Sequence, residues 1–207
     1  MTKYTVDSMF LNNVKEQHDS VNYLKKNILL EGCCLITKND LSLTVDQWKT
    51  LNYEVSKLKY ETFKLENVNE RSDIKISKIK MPQNMEIKNK AIFDVMNSVQ
   101  VRNFVMEITG VSHFTVDQCV CYVYEGKNFI PTHQANNNSN VSQYAIHFFL
   151  DGNYTEGQHM IYQSKERKCV HTPNSGEILL VSCDYIHEVQ PITSGTKSLI
   201  LALIQPC

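Results

Sequence analysis

The strongest constraint on the fold is a series of short apolar segments that fills the chain after Gly110. Turn-forming sequences such as Asp151-Gly152-Asn153 and Thr193-Ser194-Gly195 separate these segments. Many short strands joined by turns favour a sandwich or a jelly roll, because each strand can bury one face against a facing sheet. The predicted strands are 116–124, 144–150, 159–162, 168–171, 177–182, 187–189 and 197–204.

The first half of the sequence predicts helices and strands that pack against this β-roll. An apolar run over 28–37 and a nearly alternating run over 73–79 are typical of strands. Thr44 begins a predicted helix, and Gln47 lies three residues later, where a capping-box partner belongs. Two further helical pieces are predicted before Gly110, over 91–99 and 104–108.

The organisation of the chain is simple, since no linker-like stretch and no internal repeat divides the 207 residues. We therefore predict a single domain over 1–207. Within it, 1–110 would give helical and strand support, and 111–207 would form the β-roll core. The expected class is α+β with a mostly β core.

The charge balance argues against several classes of partner. There are 21 Lys+Arg and 22 Asp+Glu, so the formal net charge of −1 gives no excess positive charge for nucleic acid or an anionic membrane. The longest apolar candidate, 199–204, is far shorter than the roughly 18 residues of a membrane span. The N-terminus lacks a secretory-signal layout, and the seven cysteines show no C-x-x-C spacing. We expect a cytoplasmic protein with free thiols, and the oligomeric state stays open.

Two of the seven histidines are candidate metal ligands. His133 lies just after a predicted strand and loop, and His187 begins a later predicted strand. Histidines on neighbouring strands can bind one metal, because adjacent strands lie only about 4.8 Å apart. His18 and His113 are interpreted as ordinary surface or core histidines. His147, His159 and His171 lie in predicted strands, and their spacing does not decide whether they face a site.

A longer pattern surrounds these two histidines. Its parts are Tyr122-Val-Tyr124-Glu-Gly126, His133-Gln-Ala135, Glu156-Gly157-Gln158-His159, Pro173-Asn-Ser-Gly176 and His187-Glu-Val-Gln-Pro191-Ile-Thr-Ser-Gly195-Thr-Lys197. With this pattern, 117–204 resembles the iron(II)/2-oxoglutarate-dependent oxygenase superfamily, in its prolyl-hydroxylase-like branch. The most specific part is H-x-V-x-P-x-x-x-G-x-K at 187–197, whereas the first half of the chain supplies no motif.

The resemblance implies a double-stranded β-helix, or jelly roll, with supporting N-terminal helices. It implies an oxidative enzyme that uses Fe(II), 2-oxoglutarate and O2 on an unactivated C–H bond of a small amino-acid-like or peptide substrate. His133 and His187 would hold the iron, and Lys197 would pair with the distal carboxylate of 2-oxoglutarate. Because lysine is a point charge rather than a two-pronged donor, a hydroxyl of Tyr122 or Tyr124 would assist it. Both tyrosines lie on the same face of the predicted strand, so the sequence does not choose between them.

Ala135 is the departure from the family pattern. It stands where the family has its carboxylate ligand, and a methyl group cannot coordinate a metal. In this respect the sequence is similar to the iron-dependent halogenases, whose H-x-A or H-x-G motif leaves a position for halide. Chloride is therefore a further expected ligand, and it carries the same charge as the carboxylate that it would replace. The resemblance thus favours halogenation, in which the substrate carbon takes halide instead of hydroxyl.

Three alternatives remain for Ala135. The chain would be a hydroxylase whose ligand Asp has been replaced by Ala, or a non-catalytic binding relative. In the third alternative a nearby Gln134, Asn136 or Glu188 replaces the ligand, although amides are weak iron ligands. The polar run over 136–140 is predicted to be a loop beside the site.

Overall fold

The computed structural model describes residues 8–67, 70–80, 89–116, 118–134, 143–164 and 168–206. Ala135 and the predicted loop at 136–140 lie outside these residues. The helices are α1 (Ser8–Glu31), α2 (Val45–Ser56), α3 (Lys90–Met96) and α4 (Val99–Thr109). The strands are β1 (Cys33–Thr37), β2 (Glu61–Asn67), β3 (Glu70–Lys80), β4 (Phe114–Thr115), β5 (Gln118–Glu125), β6 (Ile130–Gln134), β7 (Tyr144–Phe149), β8 (Asn153–Glu156), β9 (His159–Tyr162), β10 (Lys168–His171), β11 (Glu177–Ser182), β12 (Ile186–Val189) and β13 (Ile192–Pro206).

The ends of the helices follow the predicted signals. At the start of α2 the Thr44 hydroxyl accepts a hydrogen bond from the Gln47 amide at 3.1 Å, and the Gln47 side chain accepts one from the Thr44 amide at 2.9 Å. This reciprocal pair satisfies two amide groups that the first turn leaves without helical partners. Gly110 ends α4 with φ of 76°, a left-handed conformation that glycine adopts at low cost.

The predicted strand over 28–37 is wrong in its first part. Leu24 and Ile28 are buried four residues apart on one face of α1, so the apolar run begins as the end of a helix. Gly32 has φ of 71°, and a Cβ at this position would lie 2.4 Å from the ring of Tyr185. Glycine therefore ends the helix here, and the strand begins only at Cys33.

Two antiparallel sheets form the β core. The main sheet has the order β1-β11-β7-β13-β5-β3-β2, with β4 and β8 also pairing with β13, and the second sheet has the order β10-β9-β12-β6. One face of the main sheet packs against the helices, where Phe148 and Ile200 are buried. The other face packs against the second sheet, where Phe149 and Leu199 contact the group that includes Ile161. This arrangement confirms the predicted jelly-roll core with supporting helices.

The strand that carries Lys197 is longer than predicted, since β13 begins at Ile192 instead of residue 197. Its first residues pair with β8, and its later residues pair with β5 and β7. Gly195 allows β13 to approach β8 this closely, because a Cβ at this position would lie only 1.7 Å from the backbone oxygen of Asn153. Lys197 consequently lies inside a strand and not at its start. Within the described part of the chain, none of the helices has the length and apolarity that a bilayer crossing requires.

Candidate active site

The two candidate metal ligands face each other across neighbouring strands. His133 follows strand β5 and a loop, as predicted, and lies within the further strand β6. His187 is the second residue of β12. The two residues are direct partners in the antiparallel pairing of these strands. Their ring centroids lie 4.2 Å apart with an angle of 59° between the planes. The structure therefore brings together the two imidazoles that the sequence singled out.

A backbone hydrogen bond fixes the tautomer of each imidazole. The Nδ1 atom of His133 lies 3.0 Å from the Pro131 oxygen, and that of His187 lies 3.2 Å from the Tyr185 oxygen. A carbonyl oxygen only accepts, so the proton is on Nδ1 and each Nε2 keeps its lone pair. Burial, followed by the nearby His133 ring, lowers the pKa of His187 to about 4. At neutral pH this ring is uncharged, which is the form that binds a metal.

A small cavity of about 30 Å³ opens beside this pair, between the two sheets. Tyr122 and Tyr124 both line it, as their shared strand face predicts, and their ring centroids lie 6.0 Å apart. Tyr124 is the closer of the two to Lys197 along the sheet, because these residues are direct partners between β5 and β13. The remaining lining residues are Ile130, His133, His147, His159, His187, Val189, Leu199 and Leu201.

Lys197 is fully buried. It does not line the cavity itself but hydrogen bonds to His159, which does. Its Nζ donates to the Gly157 oxygen at 2.8 Å and to Nε2 of His159 at 2.9 Å. It lies 5.0 Å from the ring centroid of Phe149 and 5.6 Å from that of Tyr124. Among the described residues no carboxylate forms an ion pair with it, and burial lowers the pKa of Lys197 to about 7. An anionic ligand in the cavity would give the buried Lys197 ammonium the negative partner that the described residues do not supply.

His147 and His159 are site residues that the sequence did not assign. His159 is buried and accepts from Lys197, so its proton is on Nδ1. His147 is also buried, and neither of its ring nitrogens has a hydrogen-bond partner among the described residues. The two ring centroids are 5.5 Å apart, and both rings line the cavity. A buried polar group without a partner is costly, so His147 is matched to a ligand or water in this cavity.

The polar neighbours proposed as substitute ligands are engaged elsewhere. The Gln134 amide donates to the Asp184 oxygen at 2.9 Å. The Glu188 carboxylate accepts from the Thr132 hydroxyl at 2.7 Å. Neither side chain is directed to the histidine pair by these bonds. Ala135 and Asn136, which bear on the third ligand position, lie outside the described residues.

Acid should destabilise the metal-free protein through His147. Burial, with the charges of His187 and Lys197 adding to it, lowers the pKa of His147 to about 3. On unfolding this imidazole regains an ordinary pKa of about 6.5, so the unfolded state binds the extra proton and stability falls as pH drops below 6.5. Between pH 6.5 and 4.5 the loss amounts to about 2 kcal/mol. Urea unfolding across this range should show a shallower pH dependence for His147→Leu than for the unchanged chain.

The matched control for this experiment is His113→Leu, because His113 is exposed. This variant should keep the pH dependence of the unchanged chain. An equal pH dependence for His147→Leu and for the unchanged chain would show that His147 does not stay neutral in the folded state.

No protein-family model and no curated protein sequence matches the chain, but solved structures with a similar fold include oxygenases. An oxidoreductase of the 2OG-Fe(II) oxygenase family from Burkholderia pseudomallei has a TM-score of 0.81 at 14% identity, covering 90% of this chain and 91% of that one. A Trichoplax adhaerens prolyl hydroxylase, in complex with a hypoxia inducible factor peptide fragment, has a TM-score of 0.67 at 17% identity, covering 97% and 94%. A Pseudomonas putida prolyl-4-hydroxylase has a TM-score of 0.63 at 14% identity, covering 89% and 98%. The chain therefore has the fold of the 2OG-Fe(II) oxygenases.

Proposed function

We propose that the chain is an iron(II)/2-oxoglutarate-dependent oxidative enzyme that acts on an unactivated C–H bond of a small amino-acid-like or peptide substrate. One observation carries the proposal. A single cavity has two imidazoles with available Nε2 atoms at one side, and behind its wall lies a buried lysine that pairs with no carboxylate of the described residues. The fold supports it, since the similar solved structures are described as oxygenases. A peptide fragment in one of those structures supports the substrate class.

His133 and His187 would hold the iron through Nε2. Their Nδ1–H bonds to backbone oxygens keep the rings oriented, so the ligand positions exist before a metal binds. Two imidazole ligands leave further coordination positions for anionic ligands and oxygen. When bound with 2-oxoglutarate and O2, iron supplies the oxidising chemistry, in which 2-oxoglutarate becomes succinate and carbon dioxide and a substrate C–H bond is broken.

Lys197 would neutralise the distal carboxylate of 2-oxoglutarate. Its Nζ already donates to His159, whose Nδ1–H can in turn donate toward the cavity. Tyr124 lies beside Lys197, which supports it over Tyr122 as the assisting hydroxyl. The apolar walls, including Leu199, exclude water and strengthen the attraction between the buried cation and the carboxylate.

We favour halogenation as the reaction type because of Ala135. A methyl group gives the metal no ligand, and Gln134 and Glu188 are held by other hydrogen bonds. A chloride ion would then take the third position beside His133. The alternative is a hydroxylase that lacks its ligand Asp at position 135, and the two reaction types differ in their response to chloride.

An anaerobic titration followed by oxygen tests this proposal, using the unchanged chain and Ala135→Asp. Iron(II) and 2-oxoglutarate should together give the visible absorption of the chelate in both proteins. On admission of O2, the unchanged chain should form succinate about tenfold faster with chloride than without it, an effect worth ~1.4 kcal/mol. Ala135→Asp has a protein carboxylate in place of the halide, so its succinate formation should not depend on chloride.

Each outcome of this titration separates the alternatives. Robust turnover by Ala135→Asp, with an unchanged chain that stays inactive at every chloride concentration, would identify a hydroxylase that has lost its ligand. Absence of turnover in both proteins, with 2-oxoglutarate still bound, would identify a binding relative. Absence of iron binding in both proteins would refute the proposed function.

A further inference from the structure

A second cluster of metal-binding side chains lies away from the histidine pair. It consists of Cys33, Cys169 and His171, whose three possible ligand atoms all lie within 4.8 Å of one another. The Cys33 Sγ atom is 3.2 Å from Nε2 of His171. A carboxylate oxygen of Glu31 is 3.2 Å from the Cys169 Sγ atom. Two thiols and an imidazole therefore meet at one place, and a carboxylate lies beside one of the thiols.

The topology explains why these residues meet. Cys33 lies on β1 at one edge of the main sheet, and β10 lies at one edge of the second sheet. Cys169 and His171 are two residues apart on β10, so their side chains leave the same face of that strand. Glu31 is the last residue of α1, and only Gly32 separates it from β1. The cluster thus joins the first helix and the edges of both sheets.

We propose that Cys33, Cys169 and His171 bind a structural zinc ion, and that the Glu31 carboxylate, which already contacts Cys169, turns toward the metal as the fourth ligand. Zinc takes two thiolates, an imidazole and a carboxylate in a tetrahedral arrangement, with Zn–S of about 2.3 Å and Zn–N of about 2.0 Å. Those bond lengths keep neighbouring ligand atoms roughly 3 to 4 Å apart, and the measured Cys33–His171 and Cys169–Glu31 separations of 3.2 Å match this. Two thiolates favour zinc over Mg²⁺ or Ca²⁺, which prefer oxygen ligands.

The zinc site would be independent of the proposed oxygenase centre. In the second sheet the strand order places β10 at one edge and β6, with His133, at the opposite edge. His171 pairs with His159 across β10 and β9, so only the cavity wall separates the two regions. The zinc would fasten the first strand of the main sheet to the second sheet, because its ligands come from residues far apart in sequence. Its effect would be on stability rather than on chemistry.

Metal analysis of matched variants tests the zinc site. We expect about one zinc per chain in the protein expressed with zinc, and a thiolate-to-cobalt absorption band when Co²⁺ replaces it. Cys33→Ala should lose both. Cys34→Ala is the control, since Cys34 is equally buried on the same strand but packs in the core against the helices, so it should keep both.

The same measurement in a His133→Ala/His187→Ala background separates this proposal from the oxygenase function. That double variant removes the proposed iron ligands, yet it should keep the zinc and the thiolate-to-cobalt band. In this background a chelator should lower the midpoint of thermal unfolding by about 5 °C or more. The zinc site is refuted if zinc stays at trace level, if Cys34→Ala loses the metal as Cys33→Ala does, or if mass spectrometry finds a Cys33–Cys169 disulfide.

Discussion

Replacing His187 with alanine is expected to abolish iron(II) binding and iron-dependent consumption of 2-oxoglutarate. The imidazole of His187 faces that of His133 with its Nε2 available, and the Tyr185 oxygen holds its Nδ1–H. Loss of a group that only orients a metal ligand typically costs 10–100-fold in affinity or activity, so loss of the ligand itself should cost at least about 100-fold. Anaerobic iron titration and succinate formation measure the two effects.

His133→Ala gives the same test with less risk to folding. His187 is buried, so its removal leaves space in the core, whereas His133 is exposed. His113→Ala is the control, because His113 is an exposed imidazole in the segment after α4 and should leave both measurements unchanged. Iron binding at unchanged affinity in either His133→Ala or His187→Ala would remove this pair as the metal site.

The positions of the later strands could be predicted from the sequence because their ends carry turn residues. The predicted strands 159–162, 168–171 and 177–182 have the same bounds in the structure. In contrast, the sequence patterns do not predict α1, β2, β6 or β8. The end of α1 was interpreted as strand because its last apolar residues run directly into β1, and only the left-handed backbone at Gly32 separates them.

The sequence could not predict that His147 faces the cavity, because both faces of the main sheet are covered. On β7, His147 faces the cavity while its neighbour Phe148 faces the helices, and both are buried. When both faces are buried, the alternation of apolar and polar residues that marks a half-exposed strand is lost. The sequence around His147 therefore does not distinguish it from any other histidine in an apolar strand, and only the packing of the second sheet shows which way it faces.

The burial of Lys197 is likewise a product of the tertiary structure. A lysine within a strand is ordinarily a solvent-facing residue. The aromatic rings that enclose this ammonium come from three different strands: Tyr124 on β5, Phe149 on β7 and Tyr154 on β8. The resemblance assigned the residue a role, but no pattern within the sequence predicts that these rings exclude water from it.

Replacing Lys197 with methionine should weaken 2-oxoglutarate binding by roughly 30-fold or more. Loss of one partner from a buried, hydrogen-bonded charge pair costs about 2–5 kcal/mol, and 1.4 kcal/mol is tenfold in affinity. Because burial lowers the pKa of Lys197 to about 7, binding to the unchanged chain should also weaken about tenfold for each pH unit above 7. Lys197→Arg should bind without this pH dependence, since a guanidinium stays charged. Calorimetric titrations between pH 6 and 9 measure both effects.

Lys197→Met should make the ligand-free protein more stable, relative to the unchanged chain, as pH falls toward 7. Replacement of a lysine with a purely structural role would not have this effect. The pKa of Lys197 is about 7 in the folded state and about 10.5 when unfolded, so the unfolded state binds the extra proton between these values. The unchanged chain therefore loses stability as pH falls from 10.5 to 7, and Lys197→Met does not share this loss. Between pH 9.5 and 7 the difference in unfolding free energy should shift by about 3 kcal/mol in favour of the variant. If Lys197→Met binds 2-oxoglutarate more weakly and is also more stable than the unchanged chain at pH 7, the lysine is kept as a cation for its ligand. If the difference in unfolding free energy between the two proteins does not change with pH, that role is contradicted.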